Sequence, residues 1–303
     1  MRLEDYPSLY RAADQSALMA RRLNARRQIS YLLLLLLAAT AGSFGSIPAP
    51  PGPVILFLLS TLLLVVGLAL LWIDLVQNHE RSWYLCRSVA ESVKSLTWRY
   101  TMRAEPIGDQ QTVQEADQRF LNYLNLVRNQ HHADAVMASP CLADSSEITE
   151  AMHELRMQSW QQRLKHYISE RLVEQREWYT ERALRNRRWA LRLSAIVSLL
   201  HVLALVSAVL HLSGHLGAGA AVPVFVAAAA SALAWSHYSR FGEAKDSYSR
   251  AANDLAATLA AAQHVSCEED LSRFVQNTEA ALSREHTLWC VRRNTPPADN
   301  STA

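Results

Sequence analysis

Few residues in this chain stand at spacings that chemistry requires. Glu285 and His286 adjoin near the carboxyl end, three residues before Trp289. A neighbouring carboxylate and imidazole could exchange a proton or begin a metal site, but the plainer reading is a pair on a helix surface. With Trp289 they are candidates for contact with a partner or signal. His131 and His132 fall in a polar connecting region and read as a solvated loop. Cys86, Cys141, Cys267 and Cys290 lie far apart with no Cys-x-x-Cys pair, so zinc and redox motifs are unsupported, and the four read as reduced thiols. Gly-rich phosphate loops, His-Glu-x-x-His and Gly-x-Ser-x-Gly are all missing from the sequence. The expectation is a protein that is no enzyme and has no catalytic, metal or cofactor site. The formal net charge of +2 is too small to make nucleic acid the main partner.

One ionisable residue is out of place. His201 lies inside an apolar run, and Ser194, Ser198, His201 and Ala208 share one helical face, interrupted by Leu205. Ionisable groups at membrane depth are rare and usually face a bundle interior or water. These four are therefore candidate pore or bundle-interior residues. The plainer reading is a neutral His201 that hydrogen-bonds a neighbouring helix.

The elements that must position these residues are mostly apolar. Runs at about 29–47 and 54–76 are separated by "PAPPGP"; runs at about 193–212 and 218–235 are separated by "SGHLG". Each approaches the ~20 residues a helix needs to cross the hydrocarbon core, and no helix continues through the first Pro-rich turn. The alanine-rich fourth run offers small side chains for close helix contact. Arginines and lysines crowd the chain before the first and third runs and after the second and fourth, while the two turns carry no charge. The positive-inside rule then places both termini and the long middle segment in the cytoplasm, in a multi-pass membrane protein. The expected fold is an all-α membrane protein with four transmembrane helices, arranged as two repeated helical hairpins with long cytoplasmic helical extensions. Residues 1–105 form a basic helix, two spans and a polar helix; 106–164 form a helical connector; 165–265 repeat the unit; 266–292 form an amphipathic helix; 293–303 form a disordered tail. One register aligns Arg87 with Arg250, Glu91 with Asp254 and Leu96 with Leu259.

Helix breakers are sparse. None occurs between Cys141 and Ser213, and Ser145, Ser146 and Glu147 offer a start signal. This predicts one long amphipathic helix feeding into the third span. Ser266 through Glu269 fits a capping box for the last helix. After the second span, Trp83, Arg87, Glu91, Lys94 and Trp98 fall on one helical face, where Glu91 can pair with Arg87 and Lys94. We read them as a candidate helix-interface seam, since two tryptophans flanking an ion-pair ladder are more than solubility requires; the alternative is a solvated charged stripe with its aromatics anchored at the headgroup level.

The stretch "SVAESVKSLTWRYTMRAEP" at 88–106, preceded by "RSWY" at 81–84, resembles the signature of the SLATT family, the SMODS- and SLOG-associating two-transmembrane effectors. "RFGEAKDSYSRAANDLAAT" at 240–258 and "SREHTLWCVRR" at 283–293 resemble later segments of tandem, four-span members. The resemblance implies a membrane effector of a prokaryotic antiviral conflict system. Its expected partners are membrane lipids, further copies of itself, and a nucleotide-signal synthase or sensor protein. Such an effector forms a pore or disrupts the inner membrane when triggered, in an abortive response to infection. The alternative is a non-conducting membrane scaffold that recruits a cytoplasmic partner, favoured by the want of a continuous polar stripe in any span.

Overall fold

The computed structural model describes residues 1–45, 52–77, 79–108, 112–130 and 146–294. His131, His132, Cys141, Ser145 and the expected tail from 295 lie outside them, as do the side chains of Glu285, His286, Trp289 and Cys290. Ten α-helices are described: α1 Ser8–Gly45, α2 Gly52–Gln77, α3 His79–Thr101, α4 Val113–Gln130, α5 Glu150–Met157, α6 Trp160–Tyr167, α7 Glu174–Leu212, α8 Ala221–Ser239, α9 Phe241–Ala261 and α10 Glu268–Asn294. No strand occurs among the described residues. Four helical stretches are long and apolar enough to span a bilayer: Ser8–Gly45, Val54–Ile73, Trp160–Leu212 and Gly217–His264. The chain is an all-α membrane protein with four such helices.

The connector corrects the sequence reading. The predicted unbroken helix starts later and divides. Thr149 caps α5 by accepting the Met152 amide at 3.4 Å, and Gln158 and Ser159 are both extended, with ψ of 161° and 154°. No Pro or Gly is needed for this break. Ser159 accepts the Gln162 amide at 3.4 Å while Gln162 Oε1 accepts the Ser159 amide at 3.3 Å, a reciprocal cap that competes with helix continuation. Arg163 Nε donates to the freed Gln158 carbonyl at 3.1 Å. From Trp160 the chain is then helical to Leu212, with a π-helical segment at Ile168–Val173 between α6 and α7. The last helix also differs in detail. Asp270, not Glu269, receives the Ser266 amide (3.3 Å) and hydroxyl (2.7 Å).

The chain divides into two compact units. One comprises Met1–Arg21, Glu80–Tyr179 and Arg250–Ala303, the other Arg22–His79 and Thr180–Ser249. In the first, Leu9, Val89, Val93, Phe120, Leu124 and Met152 form one buried cluster. Trp98, Met102, Tyr167, Leu172, Leu271 and Val275 form a second. Apolar faces of helices distant in sequence close on each other here, as burial of apolar surface requires.

The second unit holds the spans. Its large apolar side chains, among them Leu33, Leu58, Leu62, Leu199 and Leu205, are exposed, the surface a hydrocarbon solvent wants. Several hydroxyls within it donate to backbone carbonyls, as lipid demands. Thr40 donates to the Leu36 carbonyl (2.8 Å) and Ser43 to that of Ala39 (2.7 Å). Ser60 donates from α2 to the Ala38 carbonyl of α1 at 2.9 Å. A Cβ at Gly42 would meet Ser60 Oγ at 3.3 Å, so this glycine lets the two helices approach. The second hairpin turns at Gly214 (φ 95°), with the His215 amide reaching back to the Leu210 carbonyl at 3.1 Å, a helix ending that favours glycine.

Candidate functional site

The stretch that carried the resemblance is α3, and most of it is buried. Trp98 is 0% exposed, and its Nε1 donates to the Tyr6 hydroxyl at 3.1 Å. The ring meets Tyr167 edge-on, 5.5 Å between centroids. Arg87 bridges Asp14 of α1 at 3.1 Å and pairs with Glu91 one turn on. Trp83 packs against the first core cluster. Lys94 is half-buried, and burial, followed by the charge of Arg171, pushes its ammonium down to about 8. Of the five seam residues Trp98 is buried and the other four are half-buried, while the other side of the helix is buried through Val89, Leu96 and Tyr100. At the aligned positions of the second copy, Arg250 and Asp254 are exposed, so the two copies use this register differently.

The sequence did not reveal what fastens the end of α3. Three arginines, on α5, α6 and the π segment, are buried: Arg156, Arg163 and Arg171. Arg156 donates to the carbonyls of Tyr100, Ile107 (3.5 Å) and Gly108 (3.4 Å). Arg163 Nη1 donates to the Met102 carbonyl at 2.8 Å and its Nη2 pairs with Glu268 of α10. The last carbonyls of a helix lack intrahelical partners and carry partial negative charge. Guanidinium groups suit that place, being always charged with several donors in a fixed fork.

Arg171, in the π segment, forms the deepest pair. Its Nε and Nη2 donate to Glu279 at 2.9 and 2.8 Å, and Tyr167 donates to the same carboxylate at 2.9 Å. The side chains of Arg171 and Glu279 are 3% and 0% exposed. Burial, reinforced by the charge of Glu279, holds the Tyr167 phenol protonated far above its ordinary range. Single-turn π segments are often retained where function needs them; this one aims a charged fork at a partner 108 residues away.

The stripe on α7 faces differently from the chain's own packing. Leu193 and Ala204 are the buried residues of the span-bearing half, whereas Ser194, Ser198 and His201 are exposed and Ala208 is half-buried. His201 Nδ1 lies 2.8 Å from the Val197 carbonyl. The stripe therefore turns outward from the single chain, available to lipid or to another copy. Glu285, His286 and Trp289 fall on α10. Among the described residues no three His, Cys, Asp or Glu side chains gather as a metal site would need.

Comparison with curated proteins and with solved structures returned no match. Two family profiles do match, in tandem. SMODS and SLOG-associating 2TM effector domain 3 matches residues 7–164. SMODS and SLOG-associating 2TM effector domain 1 matches residues 167–289. Each match holds one pair of candidate spans, and the chain belongs to the SLATT family of two-transmembrane effector domains.

Proposed function

We propose that the protein is an inner-membrane effector of a prokaryotic antiviral system. Copies of the chain assemble in the membrane with both termini cytoplasmic. A nucleotide-signal synthase or sensor partner acts on the cytoplasmic helices and shifts a two-state bundle toward a conducting or bilayer-disrupting form. Growth then stops before infection completes. The observation that carries this reading is the tandem match to SLATT effector domains on a chain with four candidate spans. Helices α1 and α7 contribute residues to both compact units, which supports transmission along continuous helices. The outward stripe of Ser194, Ser198 and His201 supports a polar path that closes only between copies.

The second reading, a non-conducting scaffold for a cytoplasmic partner, is favoured by Leu205 interrupting that stripe and by His201 bonding its own backbone. Planar-bilayer recording of the purified full chain, with the proposed synthase partner and its nucleotide substrates added, separates the two. The effector reading expects unitary currents that change with His201→Ala or Ser198→Ala. A silent bilayer at verified incorporation rejects conduction in favour of the scaffold.

A further inference from the structure

Within the span-bearing unit, α1, α7, α8 and the start of α9 enclose an open cleft of about 560 Å³. Its walls include Ile29, Leu33, Leu36, Trp189, Trp235 and Phe241. All lie toward the ends of the spans away from the hairpin turns. The lining is almost wholly carbon, which suits an alkyl chain and no polar ligand. At its rim the character changes. Trp189 stacks on Phe241 with 6.4 Å between ring centroids. The Arg192 guanidinium lies 5.6 Å from the centre of the Trp189 ring. Arg185, Trp189 and Arg192 share one face of α7 at spacings of four and three, and both arginines are exposed. Arg240, next to Phe241, holds the left-handed joint between α8 and α9 (φ 48°), with only a loose pair to exposed Glu243 at 3.5 Å.

We propose that this cleft is a binding site for an anionic phospholipid, the acyl chain lying between α1 and α8 and the phosphate meeting Arg192 and Arg240. Basic pockets between spanning helices recognise phosphate headgroups by this combination, and aromatic side chains favour the headgroup level. Charge complementarity decides between occupants. A second copy laid on the same face would bring Arg185, Arg192 and Arg240 against their equivalents, whereas a phosphodiester neutralises them. The inference requires only that the spans cross a bilayer and is independent of conduction.

The test uses the full chain in phosphatidylcholine nanodiscs doped with brominated phosphatidylglycerol or brominated phosphatidylcholine, which quench tryptophan on contact. Trp189→Phe and Trp235→Phe variants assign the cleft signal, and exposed Trp72 on α2 reports bulk lipid. Brominated phosphatidylglycerol should half-quench the cleft signal at roughly one-tenth the mole fraction of brominated phosphatidylcholine, since two guanidinium groups face one phosphate. Arg192→Gln with Arg240→Gly should remove the difference while leaving quenching by either lipid; glycine suits the backbone at position 240. Equal quenching by both lipids in the unaltered chain would overturn the proposal, as would a preference that survives the double substitution. A cleft signal that neither lipid quenches would place a second copy there instead.

Discussion

Replacing Glu279 with alanine removes the acceptor of three hydrogen bonds in one step: 2.9 Å from Tyr167, 2.9 and 2.8 Å from Arg171. The partners have no water to turn to, since Arg171 is 3% exposed and its Nη1 already lacks a hydrogen-bond partner. An uncompensated buried cation is what makes such a deletion expensive, and breaking one side of a buried pair costs about 3–5 kcal/mol. At roughly 2–4 °C per kcal/mol for a unit of this size, that is a fall of roughly 6–20 °C in the unfolding midpoint. The assay is thermal unfolding of the detergent-solubilised full chain, read by near-ultraviolet circular dichroism, where buried Trp98 and Tyr167 contribute. The informative comparison is Arg171→Met with Glu279→Leu. Because an apolar pair of similar volume pays no desolvation, the double variant should recover most or all of the loss. A midpoint shift under about 2 °C for Glu279→Ala, or a double variant as damaged as the sum of its singles, would refute the reasoning.

Lys94 gives a pH signature. Its folded value is depressed from 10.5 to about 8, so between those pH values the unfolded chain binds the extra proton and stability rises with pH. Below about 8 both states are protonated and the penalty is complete. Lys94→Met should therefore raise the midpoint at pH 7, and the stability difference from the unaltered chain should shrink from pH 8 toward 10. A difference flat across that range would contradict the assignment. Ser159→Ala removes one half of the reciprocal cap on α6 and should cost about 1 kcal/mol, measured by urea unfolding of the solubilised chain; no change in midpoint would deny the cap its role. A cysteine placed at Gly217 should react in intact cells with a membrane-impermeant maleimide reaching the inner-membrane exterior, as the charge-free second turn implies. Labelling only after lysis would reverse the topology.

The four spans were legible because lipid imposes a length and a composition at once, and the runs around Leu33, Leu62, Leu199 and Ala229 satisfy both. On α3, two tryptophans and three charges at helical spacing pointed to contact, and there Trp98 is buried and Arg87 bridges Asp14. What escaped was set by partners distant in sequence. Arg156, Arg163 and Arg171 look like the solvated face of an amphipathic helix, because guanidinium groups are rarely buried. Their burial rests on the carbonyls of Tyr100 and Met102, on Glu268 and on Glu279, more than forty residues off in every case. The break at Gln158–Ser159 escaped because it uses a side-chain cap in place of Pro or Gly. The outward direction of the Ser194–Ser198–His201 stripe follows from which α7 face packs inside the unit, which periodicity alone does not decide.

The most direct measurement is membrane potential in cells that express the chain with the nucleotide-signal synthase proposed as its partner, followed with a potential-sensitive dye after infection or induction of the signal. The account predicts depolarisation within the infection cycle, before lysis, and its suppression when His201 is replaced. An unchanged potential, at verified membrane expression and with the signal present, would contradict it.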